Sequence, residues 1–427
     1  MVAKKSMENT ESKSTEQDII KSHYDVIVVG GGPSGSSAAT FLGMAGKDVL
    51  LLDRAKFPRE KTCGDGISGK SVHVLQELGI TEGIKNVEHL DMYGVTFSSP
   101  KGVVVQIPAA KEKEKTPPGY VCRREVFDDL LFQNAKNQAT VIEQFNVDEL
   151  IMENGAMTGV NGTNMATKEK MTFKAKIVVI ANGAGSVFTE KLGLKNNKPE
   201  HQVSALRAYY EGVEGVTDQI ELHFVKEALP GYFWIFPLPD KKANVGIGML
   251  VPDIQKNKIN MEKVMYDIIE KHPMFAARFK NAKKITEVKR WHLPLGSWRP
   301  SKAYGNGFVL VGDCASLIDP FTGEGIGNAL ISGKIASKII VEAFEKNDFS
   351  ETVLSKYHTE LYDEVGDELK TSYNLQRLGT NTWVLNMIID KASRSSYVRD
   401  AISSTLLNPE AQKKFTDPVF ILRCLFA

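Results

Sequence analysis

The chain is poor in cysteine. Its four, Cys63, Cys122, Cys314 and Cys424, show no C-x-x-C spacing and are too scattered over 427 residues for a disulfide scaffold or a zinc site. That usage fits a reducing compartment, and no metal is expected. An excess of either charge is also missing: 53 Lys and Arg stand against 52 Asp and Glu, a formal +1, so no nucleic-acid partner is implied. No uninterrupted apolar run reaches the roughly 18 to 20 residues that span a bilayer. Residues 1–23 are rich in Lys, Glu, Ser and Thr, lack the apolar core of a signal peptide, and read as a disordered lead-in. A cytoplasmic location follows. A peripheral membrane contact stays open, because the final stretch PVFILRCLFA, Pro418 to Ala427, could lie in an interface or dock on its own domain. His73, His223 and His292 have no partner at ligand spacing and read as structural.

What is present begins with YDVIVVGGGPSGSSAATFLGMAGKDVLLLD, Tyr24 to Asp53. A β-branched run breaks at Gly30-x-Gly32-Pro33-Ser34-Gly35, continues as an alanine-bearing helical pattern and returns as a second apolar strand closed by Asp53. Each glycine has its reason. Gly30 permits the tight bend, Gly32 lets backbone N–H groups approach a pyrophosphate, and Gly35 lets the helix pack against the strand. The helix N-terminus then faces the diphosphate, and Asp53 is placed to accept the hydroxyl protons of an adenosine ribose, followed by Arg54.

The rest of the chain suggests an α/β protein whose first domain is discontinuous. Arg54 to Gly69, RAKFPREKTCGDGISG, reads as a functional loop, and Lys70 to Leu78 as a helix ended by Gly79. Short strands follow from His89 to Pro108, then the charged connector Lys111 to Gly119. Tyr120 to Ala135 has helical spacing. Asn154-Gly155 and Asn161-Gly162 read as hairpin turns of a small antiparallel meander, and Lys176 to Ile180 is a buried strand ending near Gly183. Between Val203 and Leu250 the apolar residues alternate, which indicates an antiparallel sheet, and a helix is expected near Met261 to Lys271. The division expected is residues 24–88, 118–190 and 290–345 for a Rossmann-type parallel sheet with its β-meander. Residues 89–117 and 191–289 form an inserted antiparallel substrate domain, and 346–427 a helical C-terminal segment.

A second motif lies far downstream in GFVLVGDCASLIDPFTGEGIGNALISG, Gly307 to Gly333. A buried strand ending in Gly312-Asp313 places a carboxylate near a polyol chain. Pro320, Gly323, Gly325 and Ile326 open a helix whose N–H groups can face an anionic ring edge. FAD is extended and needs a site at each end, whereas a nicotinamide dehydrogenase has no need of this second segment. The pairing resembles the flavoprotein fold of p-hydroxybenzoate hydroxylase. That resemblance implies that the first motif holds ADP, Gly-Asp holds ribitol, and the helix N-terminus lies beside the flavin pyrimidine.

Within that fold, Phe57-Pro58-Arg59-Glu60-Lys61-Thr62-Cys63-Gly64-Asp65-Gly66, then Gly231-Tyr232-Phe233-Trp234-Ile235-Phe236-Pro237 and Asn244-Val245-Gly246-Ile247-Gly248, resemble signatures of the geranylgeranyl reductase family. Arg124, ahead of Phe127-Asp128, matches the arginine that family places near the cofactor. Asn182 departs from the pattern, since relatives often carry Asp before the glycine. The family implies reduced FAD saturating isoprenoid double bonds of prenyl lipids or quinones, with NAD(P)H or reduced ferredoxin as electron donor. An isolated alkene has no carbonyl to accept electrons, so an acid must deliver a proton to its second carbon. Tyr232, Trp234 and Phe236, ahead of Pro237, would bind substrate and stabilise developing positive charge by cation–π attraction. The plain alternative is one apolar face of a strand. Cys63 would donate the proton or pack against the ring, and a bond between Cys63 and Cys314 is conceivable. A flavin monooxygenase shares the cofactor motifs, a halogenase would show W-x-W-x-I-P, and a non-catalytic electron carrier is a further alternative.

Overall fold

The computed structural model describes residues 20–108, 117–195 and 198–407. The terminal stretch from Pro418 and most of the 1–23 lead-in lie outside the described residues, as do residues 109–116 of the connector. The fold is α/β. Its first sheet runs Tyr304–Gly305, Phe308–Leu310, Lys170–Ile180, His23–Val29, Val49–Leu52 and Thr140–Ile142, with all but the first of these pairings parallel. Val26 to Val28 and Leu50 to Leu51 are fully buried, because the sheet is covered on both faces. One cover is Pro33–Met44 packed on the long helix Ile326–Lys346, and Gly333 permits that contact, since a Cβ there would lie 2.5 Å from the Ser34 carbonyl. The other is the meander.

The meander differs from expectation at one turn. Asn154-Gly155 does join Phe145–Glu153 to Ala156–Asn164. Asn161-Gly162, however, is a mid-strand irregularity in the pairing with Phe145–Glu153, and the chain reverses only after Asn164. Gly162 is there for packing: a Cβ would meet the Phe145 ring at 2.3 Å. The buried strand is also longer than its apolar run, spanning Lys170–Ile180, because its first half pairs with the meander and its second with His23–Val29.

The second sheet runs from edge strands Lys283–Lys284 and Lys289–Pro294 through Gln202–Glu211, Lys242–Leu250, Gly231–Leu238 and Ile220–His223 to Gly94–Ser98 and Val104–Pro108. All its pairings are antiparallel except that of Ile220–His223 with Gly94–Ser98. One face packs on Met261–Lys271 and its neighbours, burying Met265, Ile268, Phe275 and Phe279. The other looks towards the first sheet. Leu90–Asp91, expected with the inserted sheet, instead pairs with Tyr120–Val121, whose other side pairs with Gly66–Ile67, in a small third sheet between the two. Four helices, Ile326–Lys346, Glu351–Gly379, Thr382–Arg394 and Ser396–Leu407, close the molecule, and no described helix is long and apolar enough to cross a membrane.

Candidate functional site

Between the two sheets lies a cavity of about 1310 Å³ that reaches from Gly30 to the C-terminal helices. The glycine turn shapes one end. Gly30 adopts φ +110° and a Cβ there would sit 2.5 Å from the Ala181 carbonyl, while a Cβ on Gly35 would sit 1.8 Å from the Gly30 carbonyl. Gly32 is different: a Cβ would meet only the end of the Arg59 side chain, at 3.6 Å. So two glycines are required by packing and the third faces the cavity. Asp53 orders this turn by accepting the Gly31 N–H at 2.7 Å and the Ala55 N–H at 2.7 Å. Its carboxylate keeps lone pairs for further donors, and Arg54, Phe145 and Val187 line the cavity beside it.

The other motif meets the same space. Gly312 turns at φ +60° and Asp313 lines the cavity, its pKa raised by burial against the opposing pull of Lys61 and Arg124. Asp319 accepts the Phe321 and Thr322 N–H groups, folding the turn through Gly323 that delivers Gly325 and Ile326 to the start of the long helix. Glu324 accepts the Gly327 N–H at 2.6 Å. Pro33, Ser34, Gly183, Pro320, Gly323, Gly325 and Ile326 all line the cavity. The residues present therefore fit an extended dinucleotide: a glycine face open for a diphosphate, a carboxylate near each sugar position, and a helix N-terminus at the far end.

A layer of charge lies between these ends. Arg124 binds Asp128 through two hydrogen bonds of 2.6 and 2.7 Å, and Arg59 reaches the same carboxylate at 2.8 Å. Burial disfavours the Asp128 charge, yet Arg124, Arg59 and Lys61 outweigh it and hold its pKa below the usual carboxylate range. Lys61 is pushed down to about 8, first by burial and then by Arg124, while its Nζ lies 4.0 Å from the centre of the Trp291 ring.

The cysteine loop and the aromatic strand, far apart in sequence, form one unit. Tyr232, Trp234 and Phe236 alternate onto the cavity face, whereas Phe233 and Ile235 enter the opposite core. Pro237 follows that second set and does not line the cavity. A Cβ on Gly64 or Gly66 would meet the Phe236 ring at 3.0 or 3.1 Å, so the glycines let the loop lie on the aromatic strand. Trp234 Nε1 donates to Asn244 Oδ1 at 2.9 Å, and Asn244 Nδ2 donates at 2.7 Å to both the Cys63 carbonyl and Asp65 Oδ2. Tyr209 donates its hydroxyl to Asp65 Oδ2 at 2.7 Å as well. Asp65 is fully buried, with a left-handed φ of 70°, and lies beneath the loop instead of lining the cavity. Burial raises its pKa against the pull of Tyr209 and Asn244. Tyr232 donates to the Thr322 carbonyl, tying the aromatic strand to the Gly323 turn, and burial pushes its hydroxyl pKa up.

Cys63 lines the cavity and faces Arg124. Cys314 points elsewhere, its thiol against Asn182 Oδ1 and the Gly183 carbonyl, and both cysteines are free. No bond joins them. His223 is less isolated than its spacing suggested: Ser98 and Glu221 flank it at 2.9 and 2.8 Å, with Arg278 on Glu221. This cluster is buried away from the cavity.

Sequence reasoning missed Arg207, Tyr209, Lys61 and Trp291 as site residues. Arg207 left a trace, being a charged residue inside the otherwise apolar and aromatic run from Ala205 to Tyr210. Asn244 was visible only as part of a glycine pattern.

The chain matches the FAD binding domain family over residues 23–364. The digeranylgeranylglycerophospholipid reductase of Methanocella arvoryzae is 32% identical over 365 residues, covering 84% of this chain and 88% of that protein. A solved geranylgeranyl bacteriochlorophyll reductase-like protein from Thermoplasma acidophilum superposes with a TM-score of 0.79 at 27% identity, over 92% of this chain and 99% of its own. A flavin-dependent brominase gives 0.77 at 20% identity over 94% of this chain and 99% of its own, a likeness of fold alone.

Proposed function

The chain belongs to the FAD-binding flavoprotein oxidoreductases and, within them, to the geranylgeranyl reductases, and from that premise we propose that it saturates isolated C=C bonds of a prenyl lipid or prenylquinone. The observation that carries the reading is the wall opposite the cofactor end: Tyr232, Trp234 and Phe236 on one face, continued by Leu222, Phe97 and Val105 towards Leu385 and Ile389. A long hydrocarbon fits this wall better than a small polar aromatic does.

Gly30, Gly32 and Asp53 would hold the ADP part of FAD, Arg59 and Arg124 its middle, Asp313 the ribitol, and the turn from Pro320 to Ile326 the flavin ring. The chemistry supplied by reduced FAD is a hydride. The chain itself holds the alkene against the ring, excludes water and supplies a proton. Trp234, fixed through Asn244, presents an aromatic face worth roughly 1 to 2 kcal/mol to positive charge growing on the more substituted carbon. Tyr232 donates its hydroxyl hydrogen bond to the Thr322 carbonyl and stays protonated, so it positions the turn. Cys63, held on the loop that Asn244 anchors, is the proton donor in this reading. Electrons come from NAD(P)H docking transiently or from a protein such as reduced ferredoxin.

The cavity reaches Leu378 at its helical end, where Leu378 and Trp383 are 49% and 67% exposed. A peripheral contact of this junction with a membrane would let a lipid tail enter without a spanning helix. Protein reduced with dithionite and mixed anaerobically with a geranylgeranylated lipid should yield products heavier by pairs of hydrogens. If none forms, and a small aromatic instead emerges hydroxylated under air with NAD(P)H, the chain is a monooxygenase.

A further inference from the structure

Lys61 and Cys63 stand two residues apart on the loop after Asp53, both half-buried and both lining the cavity. No ion pair holds the Lys61 ammonium among the described residues. Glu60, next to it in the chain, is turned to Arg207 at 2.6 Å and Lys289 at 3.7 Å, and Asp128 is taken by Arg124 and Arg59. Lys61 has instead the Thr62 carbonyl, 3.2 Å from Nζ, and the Trp291 ring, whose centre lies 4.0 Å from Nζ. These hold the charge in place without neutralising it. Its charged and titratable neighbours are Arg124 and Asp128 on one helix, Asp313 at a strand end, and Cys63 on its own loop.

Burial and then Arg124 push Lys61 down to about 8 against the opposing pull of Asp313, Cys63 and Asp128. An ammonium kept in such a place costs stability, and groups of this kind concentrate where protons are moved. Binding the cofactor does not require it, since Arg59 and Arg124 already face the same space. One task in the reaction is also unassigned. Each time Cys63 gives its proton to an alkene carbon a thiolate remains, and the next turnover needs that proton back. Of the three cations in this cluster, Arg59 and Arg124 never release a proton at working pH, whereas Lys61 does so near neutrality.

We propose that Lys61 returns the proton to Cys63 after each alkene reduction. The hydride supplied by reduced FAD joins one alkene carbon, the Cys63 S–H bond breaks as its proton joins the other, the thiolate takes a proton from the Lys61 ammonium, and the neutral amine takes one from solvent. Lys61 acts through Cys63 and touches no substrate in this scheme. The proposal rests on the reading of Cys63 as proton donor and adds the group that restores it.

Lys61→Arg is the decisive variant, because it keeps the charge and loses the releasable proton. With excess dithionite and a geranylgeranylated lipid, wild type should turn over steadily, at a rate that falls as pH rises above about 8 and Lys61 becomes neutral. Lys61→Arg should retain FAD, reduce one double bond per active site at the wild-type rate, then slow about tenfold or more, with no limb near pH 8. Lys61→Met should show the same burst and slow phase. A second readout needs no turnover: iodoacetamide labelling of Cys63 in FAD-free protein, located by mass spectrometry, should follow two titrations in wild type, the thiol's own and one near pH 8, and a single one in both variants. A steady rate in Lys61→Arg equal to wild type overturns the proposal, and so does a first turnover slowed as much as later ones. Loss of FAD from both variants with Cys63 labelling unchanged would make Lys61 a cofactor cation and overturn it too. If wild type reduces no prenyl lipid the reductase reading fails, while a second titration of Cys63 lost in both variants would still support the Lys61–Cys63 proton pair.

Discussion

The two large sheets solve different problems with similar residues. In the parallel sheet both faces are covered, so Val26 to Val28 and Ile177 to Ile180 are fully buried, and the residues that reach the cavity stand at the strand ends, at Gly30, Asp53, Gly183 and Asp313. In the antiparallel sheet one face packs on helices and the other is the cavity wall, so the residues that face the cavity are spread across strands in a lateral row. A strand-end site is written in short motifs. A lateral row is written in register, which no local pattern contains.

That contrast predicts how each sheet breaks. The largest effect should come from Gly35→Ala, whose Cβ would fall 1.8 Å from the Gly30 carbonyl: with no flexible neighbour to yield, the cost should reach or exceed the ~3 kcal/mol upper range of overpacking and abolish FAD binding together with stability. Gly32→Ala, with only Arg59 near, should leave the melting temperature close to wild type and weaken FAD, measured by retention of the yellow cofactor on gel filtration. If the two behave alike, the distinction between packing and facing glycines is wrong.

Across the other sheet, Asn244→Leu removes one group that serves Trp234, the Cys63 carbonyl and Asp65, leaving buried polar atoms at about 1 to 3 kcal/mol each. FAD should stay bound while turnover falls sharply, and Trp234 fluorescence should report a changed environment. A loss of FAD in step with turnover would show that the network holds the cofactor. Cys63→Ser should keep FAD and lower alkene reduction or change the number of double bonds reduced; unaltered products and rate would return Cys63 to packing.

A smaller effect separates the charged layer from both sheets. Lys61 titrates near 8 when folded, below its ordinary 10.5, through burial and Arg124, with Asp313, Cys63 and Asp128 opposing. Since its folded pKa is depressed, the unfolded chain binds its proton first as pH falls, so the penalty of burying the charge is complete below about 8 and vanishes above 10.5. Lys61→Met should therefore stabilise the FAD-free protein by up to roughly 3 kcal/mol at neutral pH, the gain shrinking between pH 8 and 10.5 in urea titrations. A gain independent of pH would contradict the assignment.

The parallel sheet was legible because its glycines, its apolar runs and Asp313 are dictated by local geometry. The meander turn at Asn161-Gly162 was misread because its glycine serves the Phe145 ring instead of a reversal. Arg207 and Trp291 escaped notice for a different reason, since only the pairing of Gln202–Glu211 with Lys289–Pro294 places them together. Asp65 was read in the right loop and on the wrong side of it. Its hydrogen bonds to Tyr209 and Asn244 come from strands that the loop sequence does not mention.

The central claim, that the cavity wall presents an isolated alkene to a reduced flavin, is tested most directly by a single anaerobic turnover. Protein reduced stoichiometrically, freed of dithionite and mixed with a geranylgeranylated lipid should recover the oxidised-flavin absorbance without oxygen, at the rate at which the saturated product appears, and Trp234→Ala should slow both together. A flavin that stays reduced in the presence of every prenyl lipid, and reoxidises only when oxygen is admitted, would contradict the account.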